Sequence, residues 1–214
     1  MSSELDGRAV RGEATRLRIL DAARDLLVER GYSGTSTRAV AERAETQLSL
    51  VHYHFGGKQQ LLVAVLEREN DELLERQRRL YGQPGPLSEK WRTACAYLED
   101  DLESGYVRVL QELVAAGWSN AEIGAAVREL LGGWIALLAE VAREAERRHG
   151  PLGPFTAEEL ATLIASAFFG SEALLLLGFD RDALPIRSAL RRIGVLIRER
   201  EEAAGPVGAP IVAG

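Results

Sequence analysis

Few side chains in the chain could do covalent or metal chemistry: three histidines and one cysteine among 214 residues. His52 and His54 lie two apart, and a helix turning about 100° per residue points them roughly 200° away from each other, too far to hold one ion. His149 stands alone in a distant polar segment. Cys95, the single cysteine, can form neither an intramolecular disulfide nor a cysteine-based zinc site, which points to a reducing compartment. The sequence contains no glycine-rich phosphate loop, no Gly-x-Ser-x-Gly elbow and no His-Glu-x-x-His helix. The chain is therefore expected not to be an enzyme, and neither a cofactor nor a metal is implied. Recognition by non-covalent contact is what remains.

The elements that would position such contacts lie between Ser36 and Lys58, STRAVAERAETQLSLVHYHFGGK. The stretch reads as a short helix from Thr37 to Ala44, a tight turn through Glu45, Thr46 and Gln47, and a second short helix from Leu48 to Phe55. Two helices joined by a turn of about three or four residues form a helix-turn-helix, whose second helix fits a DNA major groove. Ser36 or Thr37 can cap the first helix through a hydroxyl oxygen. Ala41 and Ala44 are small enough to let the second helix cross closely. On that second helix Val51 and Phe55 lie four apart and should face the core. Leu48, Ser49, Leu50, His52, Tyr53 and His54 are left to divide between groove and rim.

Upstream, Ile19, Leu20, Ala23, Leu26 and Leu27 recur at three- and four-residue intervals between Thr15 and Arg30. They mark an amphipathic helix ended by Gly31. From Thr15 to Leu62 the chain resembles the DNA-binding domain of the tetracycline-repressor (TetR/AcrR) family of bacterial transcriptional regulators. The resemblance rests on Ile-Leu-Asp-Ala-Ala in the first helix, Gly31-Tyr32, the Thr35-Ser36 pair, Ala41 and Ala44, and His54-Phe55 followed by Lys58. It implies an all-α fold: an N-terminal three-helix DNA-binding domain and a C-terminal helical ligand-binding and dimerisation domain.

The turn departs from the family, which usually has Gly-Val-Ser where this chain has Glu45, Thr46 and Gln47. A left-handed non-glycine residue there costs about 1–2 kcal/mol. Either Gln47 caps the reading helix, or Thr46 does and the helix starts one residue early. The resemblance makes Arg38 a candidate for bonding a base edge, guanine O6 and N7 being the best partners of an arginine. His52 stands where the family usually has tyrosine, while His54 and Lys58 match positions that touch phosphate. Leu48 and Leu50 replace residues that are commonly polar, and either meet thymine methyl groups or pack against the first helix. With Thr37, Gln47, Ser49 and Tyr53 these complete the expected DNA contacts.

Composition agrees with an ordinary globular protein, 46% hydrophobic and 27% charged. Its seven prolines gather near Pro84, Pro151 and the C-terminus, leaving long stretches free to be helical. The net charge of −6 is unevenly spread. Residues 8–58 carry nine basic against six acidic side chains, and residues 59–214 carry 17 against 24. A basic end on an acidic body suits an electrostatic footprint confined to that end. The first residues hold no apolar run, so no signal peptide is expected. Ala173 to Phe179 is far shorter than the about 20 residues a bilayer span requires. A cytoplasmic protein that does not enter a membrane is expected.

Residues 1–12 are expected to be a disordered arm, with Arg8 and Arg11 either solvated or touching DNA. The DNA-binding domain is placed at 13–60, the effector-binding and dimerisation domain at 61–202, and a mobile tail at 203–214. A long helix from Gln59 to Leu80 would join the two domains, with a hinge between Gly56 and Pro86. The breaker from Tyr81 to Pro86 ends that helix. The body then divides into helices at Leu87–Ser104, Tyr106–Ala116, Asn120–Arg148, Thr156–Leu177 and Asp182–Glu202. Asp182 is a cap candidate, and Gly132-Gly133 signals a kink or a close helix contact.

Trp91, Tyr97, Tyr106, Trp118 and Trp134 either fill a core or, as the resemblance implies, line an effector pocket. Residues 159–178 are apolar nearly all round and need partners on more than one side. Burial within one subunit would supply them. The resemblance instead implies a four-helix dimer interface, with Phe168, Gly170, Leu174, Ile193 and Ile197 as candidates. The expected partners are double-stranded DNA, a second copy of the chain and a small-molecule effector. The function expected is that of a homodimeric repressor released from a palindromic operator by its ligand. The alternative is a helical partner- or lipid-binding bundle without sequence-specific readout.

Overall fold

The computed structural model describes residues 2–179 and 185–204, and every regular element among them is an α-helix. In chain order these are α1 (Ser2–Gly34), α2 (Thr37–Arg43), α3 (Leu48–Phe55), α4 (Lys58–Gly82), α5 (Leu87–Ser104), α6 (Tyr106–Gly117), α7 (Ala121–His149), α8 (Ala157–Leu176) and α9 (Ile186–Ala204). They fall into two compact units, one of Met1–Asp71 with Arg108–Glu129, the other of Glu72–Val107 with Leu130–Gly214. The proposed cap Asp182 and the tail from residue 205 lie outside the described residues.

In the first unit, α1 begins at Ser2 rather than at Thr15, so the segment expected to be an arm has helical backbone. The break at Gly31 falls where expected, with φ 69° and ψ 179°. The apolar stripe of α1, Ile19, Leu20, Ala23, Leu26 and Leu27, is wholly buried, as are Val40 of α2, Val51 of α3 and Leu61, Leu62, Val65 and Leu66 of α4, and α1 packs on both α2 and α3. Each such aliphatic side chain contributes about 1.5–3 kcal/mol by leaving water. That shared core holds α2 and α3 at a fixed place on α1.

The first unit is larger than the 13–60 segment expected from sequence. α4 runs on without a break at residue 60, and the end of α6 and the start of α7 join the core through Leu110, Leu113, Ile123 and Val127, all buried. Glu112 accepts a bond from the Tyr32 N–H at 2.8 Å, and Gln60 Nε2 donates to Glu122 at 3.0 Å. The α6–α7 corner closes tightly because two glycines meet: a Cβ on Gly124 would lie 2.7 Å from the Gly117 carbonyl oxygen.

In the second unit, α5 packs along α9 and also touches α8. Trp91, Leu98, Phe168 and Leu190 form its main core, and Leu138, Ala139, Ala161 and Ala165 a second one where α7 meets α8. The Trp91 indole donates to the Leu190 carbonyl at 2.7 Å, satisfying its buried N–H. α5 starts after Pro86, which has no capping side chain, and Glu201 of α9 takes that role. One oxygen of Glu201 accepts from the Leu87 and Ser88 N–H groups at 2.5 and 3.3 Å, and the other from the Ser88 hydroxyl at 2.5 Å. α8 opens with a capping box between Thr156 and Glu159. Gly132 and Gly133 produce no break in α7: a Cβ on Gly133 would meet Leu74 at an ordinary 3.8 Å, and Gly132 faces open space.

α8 is the most apolar helix and extends further than the short run noticed in the sequence. Its 20 residues have a mean hydropathy of 1.5 over the best window, long and apolar enough to cross a bilayer by length and composition. Only 28% of that window is buried within the subunit.

Candidate nucleic-acid interface

Ser36 caps α2, its hydroxyl oxygen accepting from the Ala39 N–H at 3.2 Å. The helix ends at Ala44, after which Glu45 takes φ +50°. The Thr46 N–H donates back to the Ala41 carbonyl at 2.9 Å and the Glu45 N–H to the Glu42 carbonyl at 3.2 Å. These are the two bonds of a Schellman ending, in which glycine usually occupies the left-handed position held here by Glu45. Gln47 then has extended backbone, its side chain makes no capping bond, and α3 starts at Leu48. The missing glycine therefore leaves the start of the reading helix where the Gln47 alternative put it.

On α3 the buried side chains are Val51 and Phe55. At about 100° per residue the direction opposite their midpoint falls on Ser49 and Tyr53. Tyr53 is 80% exposed, and Leu48 and Leu50 are also exposed instead of packing against α1. His52 is exposed and His54 half-buried. The His52 Nδ1 lies 2.9 Å from the Gly56 carbonyl. Since a carbonyl only accepts, that nitrogen carries the proton and Nε2 faces away from the bond.

Thr37 and Arg38 sit in the first turn of α2, and Gln47 precedes α3. Arg38 is exposed and has no ion-pair partner among the described residues. Other arginines of the unit are engaged: Arg24 with Glu69, Arg43 with Glu29 and Arg68 with Asp21, each at 2.8 Å. A guanidinium left unpaired beside an exposed, partly apolar helix face suits a groove with phosphate edges and base methyl groups.

Lys58 is placed differently from the phosphate contact that the resemblance implied. Its ammonium donates to the Tyr32 carbonyl at 2.6 Å and sits 4.1 Å from the centre of the Tyr32 ring. Burial lowers its pKa from the usual lysine value. The break at Gly31 frees backbone groups at Tyr32, and Lys58 and Glu112 take up the carbonyl and the N–H respectively. No local signal could have paired Tyr32 with Glu112, 80 residues away.

In the second unit the expected aromatic set is not one pocket lining. Trp91 and Trp134 each meet Phe168 edge-on, at 5.8 and 6.1 Å between ring centres. Tyr106 is buried, and Tyr97 lies under Arg76 at 4.1 Å. Trp118, assigned to the first unit, is 85% exposed and lines no interior. The expected dimer residues also divide. Phe168 is core, and Ile193 and Ile197 pack against the same cluster, because α9 turns that stripe toward Trp91. Gly170 and Leu174 are half-buried, and the open apolar side chains of α8 and α9 are instead Leu163, Val195 and Leu196.

Sequence reading missed a polar group inside this unit. Arg76 donates to both oxygens of Asp101 at 2.7 Å. Beside Asp101 lies Glu172, a buried carboxyl whose pKa is raised to about 8, first by burial and then by the Asp101 charge. Among the described residues the buried Trp134 Nε1, Gln77 Oε1 and Arg76 Nε have no hydrogen-bond partner. Burial raises the Cys95 thiol to about 11, so it is a poor nucleophile at neutral pH.

α1, α2 and α3, with the outer face of α3 exposed, form a helix-turn-helix unit. Residues 19–65 match the family described as bacterial regulatory proteins, tetR family. A helix-turn-helix transcriptional repressor of Mycobacterium tuberculosis is 47% identical over 55 residues, 26% of this chain and 29% of that protein. The regulator UidR of Escherichia coli is 28% identical over 72 residues, 34% of this chain and 37% of its own. The matched part thus spans little more than a third, at most, of these relatives.

Likeness to solved structures extends further. FadR of Bacillus subtilis, in complex with stearoyl-CoA, superposes with a TM-score of 0.71 over 84% of this chain and 97% of its own, at 16% identity. A candidate regulator of Saccharomonospora viridis in complex with choline gives 0.71 over 87% and 96%, at 21% identity. At these identities the likeness is one of fold. What the matches show is that residues 19–65 are similar to the tetR family of bacterial regulatory proteins.

Proposed function

We propose that the chain is a ligand-released transcriptional repressor that acts as a homodimer on a palindromic operator. The observation that carries this reading is the outward face of α3, with Tyr53 and Ser49 at its centre and the unpaired Arg38 beside it. Thr37, Gln47, Leu48, Leu50, His52 and His54 complete the surface offered to DNA. Two half-sites read on one side of the duplex require recognition helices about 34–36 Å apart, or a multiple of that. The M. tuberculosis relative is a repressor, and acting on chromosomal DNA makes the cytoplasm the place of action.

A homodimer is supported by α8 and α9. Most of the apolar window of α8 is uncovered within the subunit, and Leu163, Val195 and Leu196 are more than half exposed. Apolar helix faces of that kind need a partner, and a second copy brings the same faces. Ligand response is supported by the fold, since structural neighbours hold stearoyl-CoA and choline. An effector that binds one shape of residues 61–202 better than another would shift the population away from the DNA-binding shape. The domain division at about residue 60 belongs to the same reading.

Selection of bound sequences from a random duplex pool at physiological ionic strength tests it. A recovered palindrome is expected, with Arg38→Ala losing about 1–3 kcal/mol at one base position. Tyr53→Ala should weaken binding in the same assay. Salt-insensitive binding, or no binding at all, would leave the helical-bundle alternative in its place.

A further inference from the structure

The bend that closes α1 is tied to more of the first unit than a helix end needs. The Gly31 carbonyl accepts from the buried Thr35 hydroxyl at 2.9 Å. The Tyr32 carbonyl accepts from the Thr35 N–H at 3.3 Å and from the Lys58 ammonium at 2.6 Å. Thr35 immediately precedes Ser36, the cap of α2, and Lys58 opens α4 directly after the Gly56-Gly57 pair that follows α3. Residues 36–57, which contain both α2 and α3, are thus fastened at either end to one carbonyl, that of Tyr32.

What holds that residue in turn is Glu112, on the part of α6 that belongs to the first unit. One oxygen of its carboxylate accepts from the Tyr32 N–H at 2.8 Å, and the other meets the Arg108 Nε, one turn earlier on α6, at 3.1 Å. The carboxylate is seated against Gly31 itself, since a Cβ there would lie 2.8 and 2.9 Å from its two oxygens. Bare backbone at 31 and a carboxylate at 112 therefore fit each other. By charge alone, an acidic side chain in a unit that approaches phosphates opposes binding. The bond to Tyr32 gives Glu112 a role of the opposite sign. Lys58, in its turn, has its ammonium committed to the Tyr32 carbonyl and ring instead of facing a phosphate.

We propose that Glu112 and Lys58 are positioning residues for DNA recognition, which hold the N–H and the carbonyl of Tyr32 and so fix where α2 and α3 stand on α1. This rests on the reading of the chain as a DNA-binding regulator and adds to it two residues that touch no DNA. Base contacts are directional hydrogen bonds that weaken steeply with angle. A small shift of α3 therefore lowers affinity for the operator, while the number of phosphates neutralised stays the same.

The test is fluorescence-anisotropy titration of the full chain on the duplex recovered by selection from a random pool, over about 50–200 mM salt. Glu112→Ala is expected to weaken binding about tenfold, as the loss of one hydrogen bond to a charged group implies, with the slope of log affinity against log salt unchanged. Glu112→Gln, which keeps an acceptor oxygen, should recover part of that loss. Lys58→Met should weaken binding at unchanged slope, whereas loss of a phosphate contact would take about 0.9 from the slope. Thermal unfolding checks that the variants are folded, and amide exchange at Tyr32 should quicken in Glu112→Ala. Glu112→Gln and Lys58→Met keep the test decisive if Glu112→Ala does not fold. Binding by a folded Glu112 variant as tight as or tighter than wild type, or a reduced slope in Lys58→Met, overturns the proposal and leaves the regulator reading intact. A wild type that binds no duplex removes both.

Discussion

Replacing Glu45 by glycine acts on a single backbone position that sets the reading helix. Glu45 holds φ +50° because both bonds of the Schellman ending, from Thr46 to Ala41 and from Glu45 to Glu42, require a left-handed residue there. A side chain in that conformation costs about 1–2 kcal/mol. Glycine removes the cost but enlarges the unfolded ensemble, worth about 0.4–1 kcal/mol in the other direction. Glu45 is exposed and has no side-chain bond among the described residues, so little else is lost. The net gain is about 0.5–1 kcal/mol, or a rise in Tm of roughly 1–4 °C for a chain of this size. Thermal unfolding followed by circular dichroism measures it, with amide exchange at Thr46 as the local readout. Slower exchange at Thr46 should accompany the higher Tm. A Tm that is unchanged or lower would refute the left-handed turn, and with it the placement of α3 from Leu48.

Gly31→Ala should be clearly destabilising. Its φ of 69° with ψ of 179° lies in a region open essentially to glycine alone, and the new Cβ would stand 2.8 Å from a Glu112 oxygen. A loss of about 1–3 kcal/mol in urea titration is expected. Glu201→Ala removes the carboxylate that caps α5, and since hydrogen bonds to charged groups contribute about 1.5–3 kcal/mol, a comparable loss should appear in the same titration. For Glu172 the folded pKa of about 8 lies above its unfolded value of about 4.3. The group therefore stabilises fully below that lower value, and this contribution is lost as pH rises through about 8. Tm measured from pH 5 to 9 should fall more in the wild type than in Glu172→Gln.

What the sequence by itself determined was local. The periodicity of Ile19 to Leu27, the hydroxyls before α2, the small residues at 41 and 44, and the pair Val51 and Phe55 specify a helix-turn-helix, because helix period, capping and side-chain size act over a few residues. The α5 limits, Leu87 to Ser104, were equally legible, its start from the breaker that ends at Pro86. Tertiary structure decided what depends on groups far apart in the chain. Lys58 and Glu112 converge on Tyr32 only once α4 and α6 have packed into the first unit, so a lysine at a phosphate-contact position instead ties down a backbone carbonyl. Phe168 and Trp118 are both large aromatic residues, yet one is core and the other is open to water, since burial follows the face of the helix and not the residue type. Glu172 lay in a run whose apolar character hid it. Only the approach of α5 sets Asp101 beside it, and burial together with the Asp101 charge then raises the pKa of an ordinary glutamate to about 8.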